Sequence, residues 1–514
     1  SLKQQPERSS DSDSVATKRK QITAARISIW ENKPPMDDFL SRALDLAAVK
    51  GASYCDVRLV ETNQERFVVR TGVVDTLSND ESLGVGVRVL VNGSWGFAST
   101  NIVNAAEVDR ITDLAVEIAK ASAEASSGPV SLGAPVKSQG VYTTPIQVNP
   151  FTVSSEEKLG LLLVADERMG SVKGISARTG NLIFSSERKT FANSEGALVE
   201  QTIYETGGGI MATARGSGEV QRRSYPQSMR QQGCAGWEFV EGMDLAGNAE
   251  RTATEAVALL SADQCPSGIT TLIVGASQLG LQIHESCGHA IELDRVLGSE
   301  AAYAGTSFLT TEKLNNFQYG SEHVNITADS VKLPGLGSYG WDDEGIPAQS
   351  TPVVERGRFV GYLMSRETAS GLNLPSNGSM RAASWNRIPL IRMNNVSLEP
   401  GNWTLNDLIA DTDDGILMEM NRSWSIDDRR FNFQFGTETG YEIKKGKVGN
   451  LLKNCTYTGI TPEFWNSCDA VCNEEHWTMW GIPNCGKGQP GQLGHTGHGA
   501  APARFRNVQV GVMT

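Results

Sequence analysis

A short segment at residues 284–289 reads His-Glu-Ser-Cys-Gly-His and places two histidines and a glutamate close together. Neutral imidazole binds zinc well, and a catalytic zinc site keeps one position open for water. Bound zinc lowers the pKa of that water, and a neighbouring carboxylate can accept the proton. The segment therefore predicts a zinc-dependent peptidase with His284 and His289 as metal ligands and Glu285 as general base. The alternative is a chance pattern in a buried helix, which the total of six histidines disfavours.

The spacing of the two histidines does not fit a regular helix. In the familiar zinc-peptidase motif the histidines are four residues apart and share one helix face. Here they are five apart, and at 3.6 residues per turn they would point about 140° apart. A one-residue π-bulge returns such residues to the same side. We therefore predict a π-bulge near residues 286–288, with Gly288 easing the distortion.

A third protein ligand is required, and spacing alone does not choose it. His495 and His498 lie in a glycine-rich stretch that is predicted to be a loop. The acidic turn at residues 341–345 is either a metal or amine site or a structural turn. A second metal at Cys468 and Cys472 is the alternative to two structural thiols. The residues with suitable donor atoms are Glu292, Asp294, His323, Cys455, Cys468, Cys472, His476, Cys485, His495 and His498.

The elements around the motif follow from hydrophobic periodicity. Four segments have apolar residues at helical spacing: 36–50, 105–125, 155–169 and 247–261. Strand-like runs fill residues 54–99, 175–224, 271–274 and much of the chain beyond 327. Turns are predicted at 92–93, 179–180, 194–196 and 207–209.

The predicted fold class is α+β. An N-terminal α+β domain is followed by a large strand-rich antiparallel β domain that carries the metal-site helix. The predicted boundaries are a disordered arm at 1–35, the first domain at 36–126, a linker at 127–150, a middle α/β segment at 151–262 and the catalytic domain at 263–514.

Composition narrows the class of protein. The 514 residues allow several domains, and the net charge of -13 disfavours nucleic acid as a partner. Eight cysteines in so long a chain read mostly as reduced thiols, which favours the cytoplasm. The sequence has no apolar run of about 18 residues, so we expect no membrane span.

Several motifs together resemble the TldD/PmbA peptidase family, specifically its metal-carrying TldD-type members. The resemblance covers about residues 37–512. The stretches that carry it are 84–90, 95–97, 284–289, 337–345, 365–369, 376–378, Arg381 and 484–487.

The resemblance implies a ligand set and a mode of assembly. Cys485, in its Cys-Gly-Lys context, is implied as the third zinc ligand, and iron is the alternative ion. Arg366, Asn377 and Arg381 are implied to shape the substrate cleft. The substrate is expected to be unfolded polypeptide or peptide, cleaved inside a chamber enclosed by a dimer. The partner is another copy or a PmbA-type paralogue without metal ligands.

The sequence leaves two rival interpretations open. One is a zinc exopeptidase of the dipeptidyl-peptidase-III type, which has a carboxylate as third ligand and a largely helical chain. The other is a non-catalytic partner subunit or scaffold with a vestigial or structural metal site. Glu285 disfavours a structural site, because such a site needs ligands but no base.

Overall fold

The computed structural model describes residues 37–126, 128–216 and 218–511, so the predicted disordered arm lies outside the described residues. The fold class is α+β, as predicted. Among the helices of the described part, none is both long enough and apolar enough to cross a membrane.

One eight-stranded sheet organises the first half of the chain. In chain order the elements are α1 (Asp37–Val49), β1 (Tyr54–Arg70), β2 (Val73–Val91), β3 (Ser94–Thr100), α2 (Ala105–Ala123), β4 (Gln139–Thr143), α3 (Ser155–Gly170), β5 (Ile175–Asn193), β6 (Leu198–Gly216), β7 (Glu219–Tyr225), β8 (Gln231–Gly233), α4 (Glu238–Met243) and α5 (Ala249–Ala258). The strand order of the sheet is β3-β2-β1-β5-β6-β4, and β7 and β8 also pair with β6.

The predicted first domain and middle segment share this sheet, because β1 pairs with β5 from Asp56–Asn193 to Arg70–Thr179. Each part nevertheless has its own hydrophobic core. One core lies beneath α1 and α2, and the other beneath α3, α4 and α5.

The turns predicted at residues 179–180 and 207–209 are wrong, because β5 and β6 run through both positions. The glycines there serve close packing. A Cβ on Gly208 would lie 2.9 Å from the Leu182 side chain, and one on Gly209 would lie 2.4 Å from the Met229 carbonyl oxygen. The predicted turns at 92–93 and 194–196 are confirmed as the hairpin connections that follow β2 and β5.

A second eight-stranded sheet dominates the rest of the chain. The elements are β9 (Asp263–Gln264), β10 (Gly268–Val274), α6 (Ala276–Ile283), α7 (Leu293–Val296), β11 (Ile326–Asp329), β12 (Ser350–Glu355), β13 (Arg358–Phe359), α8 (Arg366–Gly371), β14 (Met380–Arg381), β15 (Leu390–Ile391), β16 (Val396–Leu398), α9 (Leu405–Ala410), β17 (Asp414–Ile426), β18 (Asn432–Lys444), β19 (Lys447–Lys453), β20 (Thr456–Ile460), α10 (Thr461–Asn466), β21 (Cys468–Val471), β22 (Thr478–Lys487), β23 (Gln492–Ala500) and β24 (Ala503–Val510).

The pairings of this sheet close into a ring. β17 pairs with β10, β10 with β24, β24 with β20, β20 with β18, and β18 again with β17. Almost all of these pairings are antiparallel, the exception being β10 with β17. The antiparallel hairpin of β22 and β23 packs against α6, the helix that leads into the histidine motif.

Buried charges join the two halves of the chain. Asp343 lies 2.9 Å from Lys189 of β5 and 3.7 Å from Arg58 of β1, and Glu344 lies 3.5 Å from Arg88 of β2. The acidic turn at 341–345 is therefore a structural junction, which agrees with the structural alternative for this segment.

Candidate metal centre

The chain after α6 forms a π-helical turn, His284–Gly288. The His289 backbone N–H donates to the His284 carbonyl at 3.1 Å, a bond between residues five apart. This wider turn places the two imidazoles side by side, with ring centroids 4.9 Å apart. The predicted π-bulge is confirmed. Glycine at 288 also allows close packing, because a Cβ there would lie 2.0 Å from the Met393 sulfur.

Strand β22 supplies a third donor atom, the Cys485 thiol. Potential ligand atoms of His284, His289 and Cys485 all lie within 4.8 Å of one another, and all three residues are buried. The Cys485 Sγ is 3.5 Å from the His289 Nε2. Tetrahedral zinc, with bonds near 2.0–2.1 Å to nitrogen and 2.3 Å to sulfur, would hold such a pair about 3.5 Å apart. The donor set fits zinc in both chemistry and spacing.

The outer nitrogen of each histidine is already hydrogen-bonded. His284 Nδ1 lies 2.8 Å from His498 Nε2, and His498 Nδ1 lies 2.8 Å from the Val396 carbonyl oxygen. His289 Nδ1 lies 3.0 Å from a carboxylate oxygen of Glu292. Both histidines therefore have Nε2 left for a metal ion. Such outer contacts fix the tautomer and orientation of metal-binding imidazoles.

Burial and neighbouring groups set the protonation states of the three donors. It lowers the pKa of His284 to about 4 and the pKa of His289 well below its ordinary value, so both rings are neutral at neutral pH. Burial alone would raise the pKa of the Cys485 thiol, but the neighbouring His289 and Arg392 outweigh it and lower the pKa. Neutral imidazole and thiolate are the forms that bind zinc.

Glu285 lies beside the donors and is held by Arg430. One guanidinium nitrogen of Arg430 is 2.7 Å from the Glu285 Oε2. Their side chains are 13% and 9% exposed, so the pair is mostly shielded from water. Both residues line a cleft that also contains the three donor residues.

The cleft continues along the edge of β17. Strand β18 covers one edge of β17 along its length, whereas the pairing with β10 covers only Ile416–Met418. Beyond that pairing, β17 reaches the cleft, where Asn421 and Trp424 form part of the wall. The Trp424 side chain is prominent there, with 56% of the residue exposed.

The other candidate ligands lie elsewhere. Asp294 pairs with Lys487 at 2.7 Å, and His323 is exposed. His476 lies in the short 3-10 helix Glu474–His476 and is partly exposed. The buried Cys455 and the buried pair of Cys468 and Cys472 pack in hydrophobic cores. Glu292 faces the Nδ1 side of His289, away from the donor atoms, so no carboxylate occupies the third position among these candidates.

The predicted loop at His495 and His498 is wrong, because both residues lie in β23. Successive side chains of a strand point to opposite faces, so residues three apart diverge. His498 accordingly turns to His284, while His495 lies 2.8 Å from Glu205. The glycine-rich composition is typical of a loop, which is why the strand was not predicted. Several of these glycines instead allow close packing, for example of the Trp477 ring against Gly499.

Two of the residues proposed to shape the cleft are held by internal contacts. Arg366 pairs with Glu195 at 2.9 Å and donates to the carbonyl oxygens of Leu132 and Ala134. Asn377 donates to the Tyr362 carbonyl oxygen and accepts from the Met364 N–H.

Arg381, the third, donates to two carbonyl oxygens, those of Met393 and His495. It lines a separate cavity that also contains Glu205. For all three residues, a role in substrate binding stays a prediction.

Sequence reasoning missed Arg430 and the outer role of His498. The role of Glu292 could have been predicted from spacing, because it lies three residues after His289 and within reach of its ring. Arg430 follows the motif by more than a hundred residues, and only the fold brings it to Glu285.

Family models match three parts of the chain. The PmbA/TldA metallopeptidase domain 1 matches residues 55–119, the central domain matches 148–260, and the C-terminal domain matches 267–512. These ranges together include all the residues of the candidate site.

Curated relatives cover nearly the whole chain. A metalloprotease of Methanothermobacter thermautotrophicus is 30% identical over 89% of this chain and 95% of its own length. A metalloprotease of Methanocaldococcus jannaschii is 29% identical over 86% and 94%. A protein named zinc metalloprotease TldD homolog, from Saccharolobus solfataricus, is 23% identical over 90% and 97%.

Solved structures share the fold. A putative modulator of a DNA gyrase from Thermotoga maritima superposes with a TM-score of 0.75 at 19% identity, covering 93% of this chain and 100% of that one. TldE from Thermococcus kodakarensis gives a TM-score of 0.72 at 16% identity, with coverage of 92% and 100%.

Proposed function

The chain belongs to the PmbA/TldD metallopeptidase family, and from this we propose that it hydrolyses peptide bonds in unfolded polypeptides or peptides at a zinc site. His284, His289 and Cys485 would hold the ion. The observation that carries the proposal is the group of three converging donors beside a carboxylate in an open cleft. When bound there, zinc supplies Lewis acidity.

Glu285 is the proposed general base. Its Oε2 is held by Arg430 at 2.7 Å, which leaves Oε1 to accept a proton from water in the cleft. The same oxygen can return the proton to the departing amine nitrogen. Arg430 fixes the orientation of the carboxylate and places a positive charge beside it, because a guanidinium stays charged at working pH. The cationic partner also compensates the carboxylate for its partial loss of water.

The edge of β17 is the proposed binding surface for the substrate. An extended peptide can add to an uncovered strand edge through backbone hydrogen bonds, whatever its side chains. The section of β17 beyond Met418 reaches the cleft that contains Glu285. Trp424 would then pack against a substrate side chain. Such binding suits a peptidase that accepts many sequences.

We propose a dimer that encloses the cleft, formed with another copy or with a PmbA-type paralogue. Iron is the alternative ion, since two imidazoles and one thiolate bias the choice without deciding it. A non-catalytic scaffold is the alternative function. It is disfavoured by Glu285, which lies on the cleft beside the donors where a purely structural site needs no base.

The test is metal content and peptide cleavage on the same purified protein. We expect about one zinc per chain, the stoichiometry of a single three-ligand site. Cleavage of unfolded polypeptide should stop with chelator and return with zinc. Metal without cleavage, by the chain alone or with a paralogue added, would favour the scaffold. Absence of metal after reconstitution would reject the site.

A further inference from the structure

We infer that His498 is a positioning residue that fixes the tautomer and orientation of His284 through a relay ending at the Val396 carbonyl. The inference rests on the proposed function, because it concerns which nitrogen of His284 faces the proposed zinc. His498 itself would not bind the ion. Its two ring nitrogens are 2.8 Å from the Val396 oxygen and 2.8 Å from the His284 Nδ1.

The relay has a defined direction because a carbonyl oxygen can only accept. The Val396 oxygen therefore requires the proton of His498 on Nδ1. His498 is completely buried, and its hydrogen-bonding partners are neutral groups. A buried imidazolium without a carboxylate partner is strongly disfavoured, so the Nε2 of His498 carries no proton. That nitrogen is an acceptor.

The state of His284 follows from this acceptor. At 2.8 Å, an unprotonated Nδ1 of His284 would place two nitrogen lone pairs against each other. His284 must therefore donate from Nδ1, which leaves the lone pair of Nε2 directed away from His498. The Thr496 hydroxyl is also 3.1 Å from the His498 Nε2 and 3.3 Å from the Ile482 carbonyl oxygen. The same hydroxyl oxygen is 3.4 Å from the His284 Nδ1, where it can accept. Thr496 can therefore donate to His498 or Ile482 while His284 keeps its proton on Nδ1.

The two ligand histidines are thus oriented by different chemistry. His289 donates to Glu292, whose charge is balanced by Lys487 at 3.3 Å. His284 donates to the neutral ring of His498, which adds no charge to the centre. His498 and Cys485 also belong to one hairpin, β22 with β23. A single element therefore supplies both a ligand and the group that orients another ligand.

The test measures zinc affinity by competition with a chromophoric chelator. H498F keeps a ring of similar shape but offers no acceptor to His284, and we expect zinc to bind about 10- to 100-fold more weakly. H498Q, whose side-chain oxygen can accept from His284, should recover part of that loss. H495F is the matched control on the opposite face of β23, and it should bind zinc as the unmodified chain does. Cobalt-substituted H498F should also show an altered visible spectrum.

Several outcomes would overturn the inference. H498F with unchanged zinc affinity would do so, as would equal losses in H498F and H498Q together with lower thermal stability of both metal-free proteins. If the unmodified chain binds no zinc, both the proposed function and this inference fail. If it binds zinc and H498F binds zinc equally well, only this inference fails.

If H498F does not fold, nitrogen NMR of histidine-labelled unmodified protein gives the answer. We expect His498 and His284 both protonated on Nδ1. A proton on the Nε2 of His498 would reject the relay.

Discussion

Arg430 holds Glu285 at 2.7 Å across a separation of 145 residues. Arg430 lies in the turn between β17 and β18, with a backbone φ of 64°, a conformation uncommon for residues other than glycine. The turn directs the guanidinium towards the π-helical segment. The carboxylate proposed to move protons is therefore positioned by the same sheet whose edge is proposed to bind the substrate.

Removing this contact should slow the chemical step. We expect R430Q to lower kcat by up to about 100-fold, since a misplaced catalytic group is poorly aligned for reaction. Zinc content should be unchanged. R429Q, which alters the neighbouring exposed arginine, is the control and should retain activity. Steady-state cleavage with metal analysis checks this, and a normal kcat in R430Q would contradict the role given to Arg430.

Replacing the proposed base should remove activity without removing the metal. We expect E285Q to bind zinc normally and to lose about 100- to 10,000-fold in kcat, the usual contribution of a general base. Glutamine preserves the shape of the side chain but accepts a proton far less readily. Substantial cleavage by zinc-loaded E285Q would show that another group takes the proton.

Loss of the thiol should release the metal. We expect C485S to be zinc-free after dialysis against a chelator that leaves the unmodified chain loaded, because a serine hydroxyl is a much weaker zinc ligand than a thiolate. C287A is the matched control. Cys287 lies within the histidine motif but is buried in the hydrophobic core, so zinc should remain bound. Zinc retained by C485S would indicate a different third ligand.

The exposed tryptophan beside the cleft should contribute to substrate binding. We expect W424A to raise KM for unfolded polypeptide roughly 10-fold, about 1.4 kcal/mol of lost binding, with little change in kcat. The KM of W424F should lie between that of W424A and that of the unmodified chain. V448A removes exposed apolar surface from β19 in the same sheet and should leave KM unchanged. An unaltered KM in W424A would place the substrate elsewhere.

The buried acidic junction should make stability depend on pH. Burial would raise the pKa of the Asp343 carboxyl, but Lys189 and Arg58 outweigh it and lower the pKa below the ordinary value. A lowered folded-state pKa stabilises the fold above the unfolded-state pKa of about 3.9, and this contribution disappears as the pH falls through the folded-state value.

We expect D343N to lower the free energy of unfolding at pH 7 by about 3–5 kcal/mol, the usual cost of removing one partner of a buried ion pair. The difference from the unmodified chain should shrink below about pH 4. Urea unfolding at several pH values measures it, with D45N at an exposed site as control. A difference independent of pH would argue for lost packing instead.

Local patterns were sufficient for much of the fold. The helices near residues 36–50, 105–125 and 155–169 match the structure closely, because amphipathic periodicity and capping residues act over a few turns. The glycine-rich stretches are where the strand prediction is wrong, because they were interpreted as turns or a loop. In β6 and β23 glycine serves close approach of other segments, and a single sequence does not distinguish this use from a turn.

The sequence by itself determined the chemistry available at the centre. The order of residues 284–289 requires a π turn if both histidines are to face one ion, since the angle per residue is a property of the helix. The tertiary structure decided which distant groups complete the centre. Cys485, Arg430 and His498 meet the motif because β22, β23 and the turn after β17 converge on it. Contacts over more than a hundred residues depend on strand pairing and packing, which no local spacing encodes.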